Sequence, residues 1–158
     1  MATQKLRTWH DNLNNVIRDV IFPNEELLDL MLIKGEDREN ITKFIDKYFV
    51  KDPVTDELVT DELVRICYYE DSGRSLGMNV NKKYLSFDIY VKRDELHTVG
   101  YDALKSRDEE IAQKLKELLT DEKYVCFIDF RFEDSFDLYT KVVGYKRYHI
   151  TFSYKISF

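Results

Sequence analysis

Along residues 145–158 apolar and polar side chains alternate almost without a break. Tyr148, Ile150, Phe152, Tyr154, Ile156 and Phe158 fall on one side, and Arg147, His149, Thr151, Ser153, Lys155 and Ser157 on the other. A helix, with its period of about 3.6 residues, would scatter those apolar groups around its axis; a strand sorts them onto one face. The end of the sequence is therefore expected to lie inside a sheet with one dry and one polar face, because an unsupported terminus frays.

The same test finds partners for that strand. Val64, Ile66 and Tyr68 alternate with Arg65, Cys67 and Tyr69, and the run breaks at Glu70, Asp71, Ser72 and Gly73. In residues 84–92, Leu85, Phe87, Ile89 and Val91 point one way and Tyr84, Ser86, Asp88, Tyr90 and Lys92 the other. These two runs are expected to pair antiparallel, joined by an extended hairpin arm over residues 71–83 that is too long for a tight turn. Residues 124–132 read as a further strand, followed by a short acidic loop at 133–135 and by residues 136–143, with Gly144 punctuating before the last strand; after the helices the order is β-β-α-β-β-β or β-β-α-β-β, depending on whether 136–143 pairs.

Helical spacing appears elsewhere. Leu6, Trp9, Leu13, Val16, Ile17 and Val20 stripe residues 3–21, which stop before Pro23. Asn24 is placed to cap a second helix reaching Met31, closed by Gly35. A third is expected over residues 38–49 on the stripe Ile41, Phe44, Ile45, Tyr48 and Phe49, and a fourth over 102–119 with Asp108, Glu109 and Glu110 in its first turns. Residues 54–58 repeat at once as 59–63. A step of five suits neither period, so the repeat reads as a surface connection. The fold class is α+β: a mostly antiparallel sheet flanked by helices, with an N-terminal helical segment (1–52) ahead of a sheet-plus-helix core (64–158) and an extended β-hairpin arm. The length of 158 residues suits one domain.

Chemistry-bearing motifs are scarce. His10, His97 and His149 are far apart and have no metal-ligand spacing, and the glycines at 73 and 77 lack the lysine and following helix of a phosphate loop. Asp88 with Lys92, and Asp129 with Glu133, fall short of the carboxylate and lysine pattern of metal-dependent nucleases, and read as solvated polar strand faces. Cys67 and Cys126 sit in strand-like runs and read as core thiols. The expectation is a protein without cofactor, metal or catalytic residue, and not an enzyme. A net charge of -6 argues against gripping nucleic acid. The longest apolar run, 124–128, is far below the roughly 20 residues of a membrane helix, and with no secretory pattern at the N-terminus the expected compartment is the cytoplasm. The 11 tyrosines and 10 phenylalanines suit half-buried strands and protein interfaces.

The strand Tyr84-Leu85-Ser86-Phe87-Asp88-Ile89-Tyr90-Val91-Lys92, the helix over 107–119 and the closing run Gly144-Tyr145-Lys146-Arg147-Tyr148-His149-Ile150-Thr151-Phe152-Ser153-Tyr154, in that order, resemble the tail-terminator and neck proteins of tailed bacteriophages. The resemblance covers roughly residues 64–158 and is one of pattern and order. It implies a structural virion protein, made in the cytoplasm of a bacterial host and located in the tail or neck. Such a protein forms a ring, commonly a hexamer, that caps the tail tube and docks to head-completion or connector proteins. DNA is then only passing cargo, and no membrane is involved.

On that reading the subunit interface falls to Ser72, Arg74, Leu76, Met78 and Lys82 of the arm together with Tyr145, Arg147 and Tyr148, the arm reaching a neighbour whose sheet edge or tyrosine-rich face receives it. The acidic residues Glu133, Asp134 and Asp137 would line the channel and keep DNA from adhering. Three helices ahead of the sheet exceed what a minimal terminator needs. This leaves open another non-enzymatic protein-binding module: a connector, a tail-completion protein, or an inhibitor or immunity-type protein.

Overall fold

The computed structural model describes residues 9–51, 62–71, 83–93, 99 and 105–156. Helix α1 (Trp9–Val16) runs on as a wide turn over Ile17–Ile21, followed by α2 (Glu25–Leu30), a 3-10 turn (Gly35–Arg38) and α3 (Ile41–Lys43), itself continued by a wide turn over Phe44–Tyr48. The strands are β1 (Phe49–Lys51), β2 (Val64–Asp71), β3 (Lys83–Lys92), β4 (Ile128–Leu138) and β5 (Tyr145–Ile156), with α4 (Arg107–Thr120) between β3 and β4. They form one sheet in the order β1-β2-β3-β5-β4, parallel between β1 and β2 and antiparallel elsewhere. The expected α+β architecture is present. Among the described residues no helix is long and apolar enough to cross a membrane.

The dry face is the one that the alternation marks. Leu85, Phe87, Ile89 and Val91 of β3 and Ile150, Phe152 and Tyr154 of β5 are buried in a core shared with Ile111, Leu115 and Leu119 of α4 and with Val16, Ile17, Ile21, Leu27 and Phe44 of the N-terminal segment. A chain of rings carries the contact from one to the other. Phe22 meets Phe44 at 5.1 Å between centroids, Phe44 stacks on Phe49 at 5.5 Å, Phe49 meets Phe87 at 5.9 Å, and Phe87 meets Phe152 edge-on at 5.9 Å. Each such pair adds roughly 0.5–1.5 kcal/mol beyond its buried area. The N-terminal helices are thus part of the core that the sheet needs. Arg107 adds a polar tie, donating from Nη1 to the Leu30 carbonyl at 2.9 Å.

Asn24 caps α2 as expected, its Oδ1 accepting from the Leu27 amide at 2.9 Å. Four other expectations are corrected. Gly35 does not close α2: the helix ends in a turn where the Leu32 amide donates to Asp29 and the Ile33 amide to Leu28, with Leu32 at φ 58. That position usually belongs to glycine, and the partly buried Leu32 side chain packs on the core instead. The single third helix over 38–49 is broken, because Asn40 starts a new cap, accepting from the Lys43 amide at 3.2 Å. Phe49 then leaves helical geometry to pair with Ile66.

The remaining two corrections concern β4. The expected loop at 133–135 is absent: β4 runs through it to Leu138, and a bulge between Phe132 and Asp134 absorbs the extra residue, so of the two orders left open 136–143 adds no separate strand. Residues 124–127 do not begin the strand. Val125 and Ile128 exchange backbone hydrogen bonds across Cys126 and Phe127, both at positive φ, which makes a tight turn and removes Cys126 from any strand. The arm, most of the tandem repeat and the first eight residues lie outside the described residues.

Candidate functional site

Two regions of the sheet carry the polar chemistry: the face opposite the core, and the outer edge at β4. The polar face is not solvated as the alternation suggested. Asp88 is 4% exposed, Ser86 0% and Ser153 3%. The antiparallel register explains this by setting Asp88 of β3 directly opposite His149 of β5, and Ser86 opposite Thr151. The Asp88 carboxylate accepts from His149 Nδ1 at 2.7 Å and from Arg147 Nη2 at 2.6 Å. His149 Nε2 reaches Thr151 Oγ1 at 2.7 Å, and Thr151 Oγ1 reaches Ser86 Oγ at 3.0 Å.

The cover is aromatic. Phe132, before the bulge, stands on the core side against Phe152. After the bulge the phase is inverted, and Phe136 lies over His149 at 5.1 Å between ring centroids. A bulge re-aims side chains in this way, and without it Phe132 and Phe136 would share a face. Tyr69 flanks the imidazole from β2 at 6.4 Å, and the Arg147 guanidinium lies 5.7 Å from the centre of the Tyr90 ring.

Burial alone would raise the Asp88 carboxyl, but the hydrogen bonds and charges of His149 and Arg147 outweigh it and hold its pKa below the ordinary value. Arg147 is raised: burial works against its charge, and the pairing with Asp88 prevails. Burial pushes the neighbouring Cys67 thiol up to about 12, which leaves it protonated and inert.

Acid, imidazole and hydroxyl stand here in the order of a nucleophile-activating triad. The hydroxyl, however, is spent on Ser86 within the sheet, and neither described cleft opens on it. One cleft, of about 400 Å³, lies between α2 and α4 with Glu26, Asp29, Arg107, Lys114 and Glu117 on its walls. Its lysine is engaged by Glu26 and Glu117. The other, of about 280 Å³, is formed by Arg93 and residues 138–145. Among the described residues no three His, Cys, Asp or Glu side chains gather as a metal would require.

Of the residues expected at a subunit interface, Tyr145, Arg147 and Tyr148 lie on β5, the strand between β3 and β4, and their side chains are engaged within the chain. Tyr145 is buried and donates to the Glu62 carbonyl at 2.5 Å, Arg147 holds Asp88, and the Tyr148 hydroxyl donates to Ser135 at 3.2 Å. Ser72, Arg74, Leu76, Met78 and Lys82 lie outside the described residues.

Glu133, Asp134 and Asp137 are brought together on β4, all exposed. Asp137 is tied back through Lys146, whose Nζ lies 3.2 Å from both Asp137 and Asp108. Burial disfavours the Lys146 charge, yet these two carboxylates raise its pKa. With β5 as its only strand partner among the described residues, β4 is a sheet edge carrying half-exposed Phe132 and Phe136 among its acids.

Sequence reasoning missed the Asp88–His149 pair because each residue, taken alone, is an ordinary polar residue on an alternating strand. The signal lay in the register, which pattern along one strand does not contain. A family model described as YomW matches residues 24–154. No curated protein and no solved structure matches the chain.

Proposed function

The chain belongs to the YomW family, a phage-associated family, and from that premise we propose that it is a structural protein of the phage head-tail interface. In this reading it is tail-terminator-like: copies form a ring, hexameric by the resemblance, that caps the tail tube and docks to head-completion or connector proteins in the virion neck. It works through shape and edge complementarity, without catalysis and without a cofactor, and DNA passes it as cargo. The observation that carries the reading is β4, an 11-residue edge strand with exposed aromatics and clustered acids. Exposed edges of this length are ordinarily blunted or covered; the bulge and charges of β4 guard it against indiscriminate pairing, and among the described residues only β5 pairs with it, which suits the addition of a selected chain. Ring subunits need such a surface, since a heterologous contact joins two unlike patches and closes when the rotation allows. The acids of β4 fit a surface that must not adhere to phosphates.

Negative-stain microscopy of the purified protein, alone and mixed with tail tubes, tests the proposal. Annular particles or capped tube ends are the expected result. Monomers alone at high concentration, together with tubes that stay uncapped, would overturn it.

A further inference from the structure

Two exposed patches on opposite layers of the fold match in charge. The first is the connection from β4 to β5. There Val142 folds back onto the sheet face opposite the core and packs against Cys67, Tyr90 and Tyr145, a small apolar cluster separate from the main one. The Arg93 amide donates to the Gly144 carbonyl at 2.7 Å, and Arg147 Nη1 donates to the Tyr139 carbonyl at 3.4 Å. These contacts frame the cleft of about 280 Å³ between Arg93 and residues 138–145. Among the described residues its charged walls are Arg93 and Lys141 alone, both exposed, and neither side chain has an ion pair or hydrogen bond there. The amides of Thr140, Lys141, Val143 and Gly144 likewise donate to no described group. Tyr139 and Val143, also on the walls, are the most exposed large apolar side chains of the described residues.

The second patch lies on the helical layer. Residues 25–39 carry six acids against Lys34 and Arg38. Arg38 serves Glu25 and Asp29 at once, Lys114 takes Glu26, and Asp37 is held by Lys43 and Tyr48. Glu36 and Glu39 are left over, both exposed and without an ion pair among the described residues. They stand on the 3-10 turn Gly35–Arg38 and its cap, where the Glu39 amide donates to the Glu36 carbonyl at 3.2 Å. Residues three apart in such a turn are eclipsed, with a rise of about 6 Å between them, so the two carboxylates leave the surface as a pair.

We infer that the cleft at Arg93 and Lys141 is the docking site for Glu36 and Glu39 of a second copy. This rests on the ring reading above and deepens it by naming two patches that a subunit contact joins. Two cations in one cleft meet two acids on one turn, and the free loop amides complete the hydrogen bonds of the carboxylates. Ion pairs at an open surface contribute little singly, so Tyr139 and Val143 supply the apolar contact around them while the charges fix the register and exclude wrong partners. The occupant comes from another copy because the sheet separates the two patches of one chain. Leu27, Leu28, Met31 and Ile33 anchor the acidic segment in the core on one side, and Val142 anchors the loop on the other. Unlike patches on opposite layers make a head-to-tail contact, the kind that closes into rings. Phosphate is the poorer match, since two cations on a chain of net charge -6 give little hold on nucleic acid.

The test is charge reversal in the full-length protein, read by sedimentation velocity and by the capping of tail tubes, with circular dichroism confirming that each variant is folded. Arg93→Glu with Lys141→Glu, and separately Glu36→Lys with Glu39→Lys, are each expected to abolish assembly and capping. The chain carrying all four substitutions is expected to regain both, because cleft and turn are again opposite in sign. Assembly that survives either double reversal, or a loss that the fourfold variant does not repair, overturns this contact while leaving ring formation standing. Binding of a single-stranded oligonucleotide that is lost with Arg93→Glu and Lys141→Glu would assign the cleft to phosphate and overturn it as well. A wild type that stays monomeric, with uncapped tubes, overturns both readings.

Discussion

Asp88 and His149 face each other across the β3–β5 pair with 2.7 Å between Oδ1 and Nδ1, and Arg147 holds the second carboxylate oxygen at 2.6 Å. A carboxylate can only accept, so the Nδ1 hydrogen belongs to this contact and Nε2 is left to face Thr151. The pair fixes the register of two strands through a single anion that has almost no access to water.

Replacing that anion is expected to be costly. Asp88→Asn keeps the shape but leaves Arg147, with a side chain 20% exposed, facing a neutral amide. Removal of one partner from a buried pair costs about 3–5 kcal/mol. Urea unfolding should show the midpoint falling with the slope unchanged; a loss under about 1 kcal/mol would mean that the pair is solvated in solution.

The same group sets an acid limb. Its folded pKa lies below its unfolded value, near 3.9, so its contribution is complete above about pH 4–5 and is lost as pH falls through the folded pKa. Stability of the wild type should therefore drop on acidification in a window that Asp88→Asn lacks, and parallel curves for the two proteins between pH 2 and pH 5 would refute the assignment.

Much of this arrangement was legible in the sequence, and the limits have physical causes. The alternation in β3 and β5 and the Asn24 cap depend on neighbours in the chain, and both are present as read. The polar face depended on register: Asp88, Ser86 and Thr151 look solvated until β5 is laid against β3. The bulge at Glu133 was invisible because the polar stretch Glu133-Asp134-Ser135 reads equally as loop or exposed edge. Leu32 takes a left-handed position that glycine usually holds, and Gly35 three residues later drew the expectation away from it.

Thiol reactivity separates the two cysteines. Cys67 is 2% exposed with its pKa pushed up to about 12, whereas Cys126 sits partly exposed in a tight turn. A disulfide reagent at pH 8 should label Cys126 in the folded protein and reach Cys67 only on unfolding. Equal rates for both would contradict the buried position of Cys67.

Gly144 lies at φ +80 immediately before β5, and a Cβ there would meet nothing within 4 Å. Gly144→Ala therefore isolates backbone strain from crowding, and a loss of about 1–2 kcal/mol is expected from the left-handed conformation alone. A neutral or stabilising result in thermal melts would mean that the turn relaxes to negative φ.

At the bulge, residue count can be separated from pairing. Glu133 is the extra residue of the bulge, between the Phe132 pair with Phe152 and the Asp134 pair with Thr151. Deleting it removes the bulge and keeps every pairing: Asp134 then follows Phe132 directly, still opposite Thr151, and Phe136 stays opposite His149. Glu133→Ala keeps the bulge and also keeps Phe136 in place. Both variants should therefore retain the wild-type near-ultraviolet aromatic signal and unfold within about 1 kcal/mol of each other. A deletion variant that loses that signal would show that β4 beyond Phe132 pairs in another register, and the aromatic cover of the Asp88–His149 pair would then have to come from elsewhere.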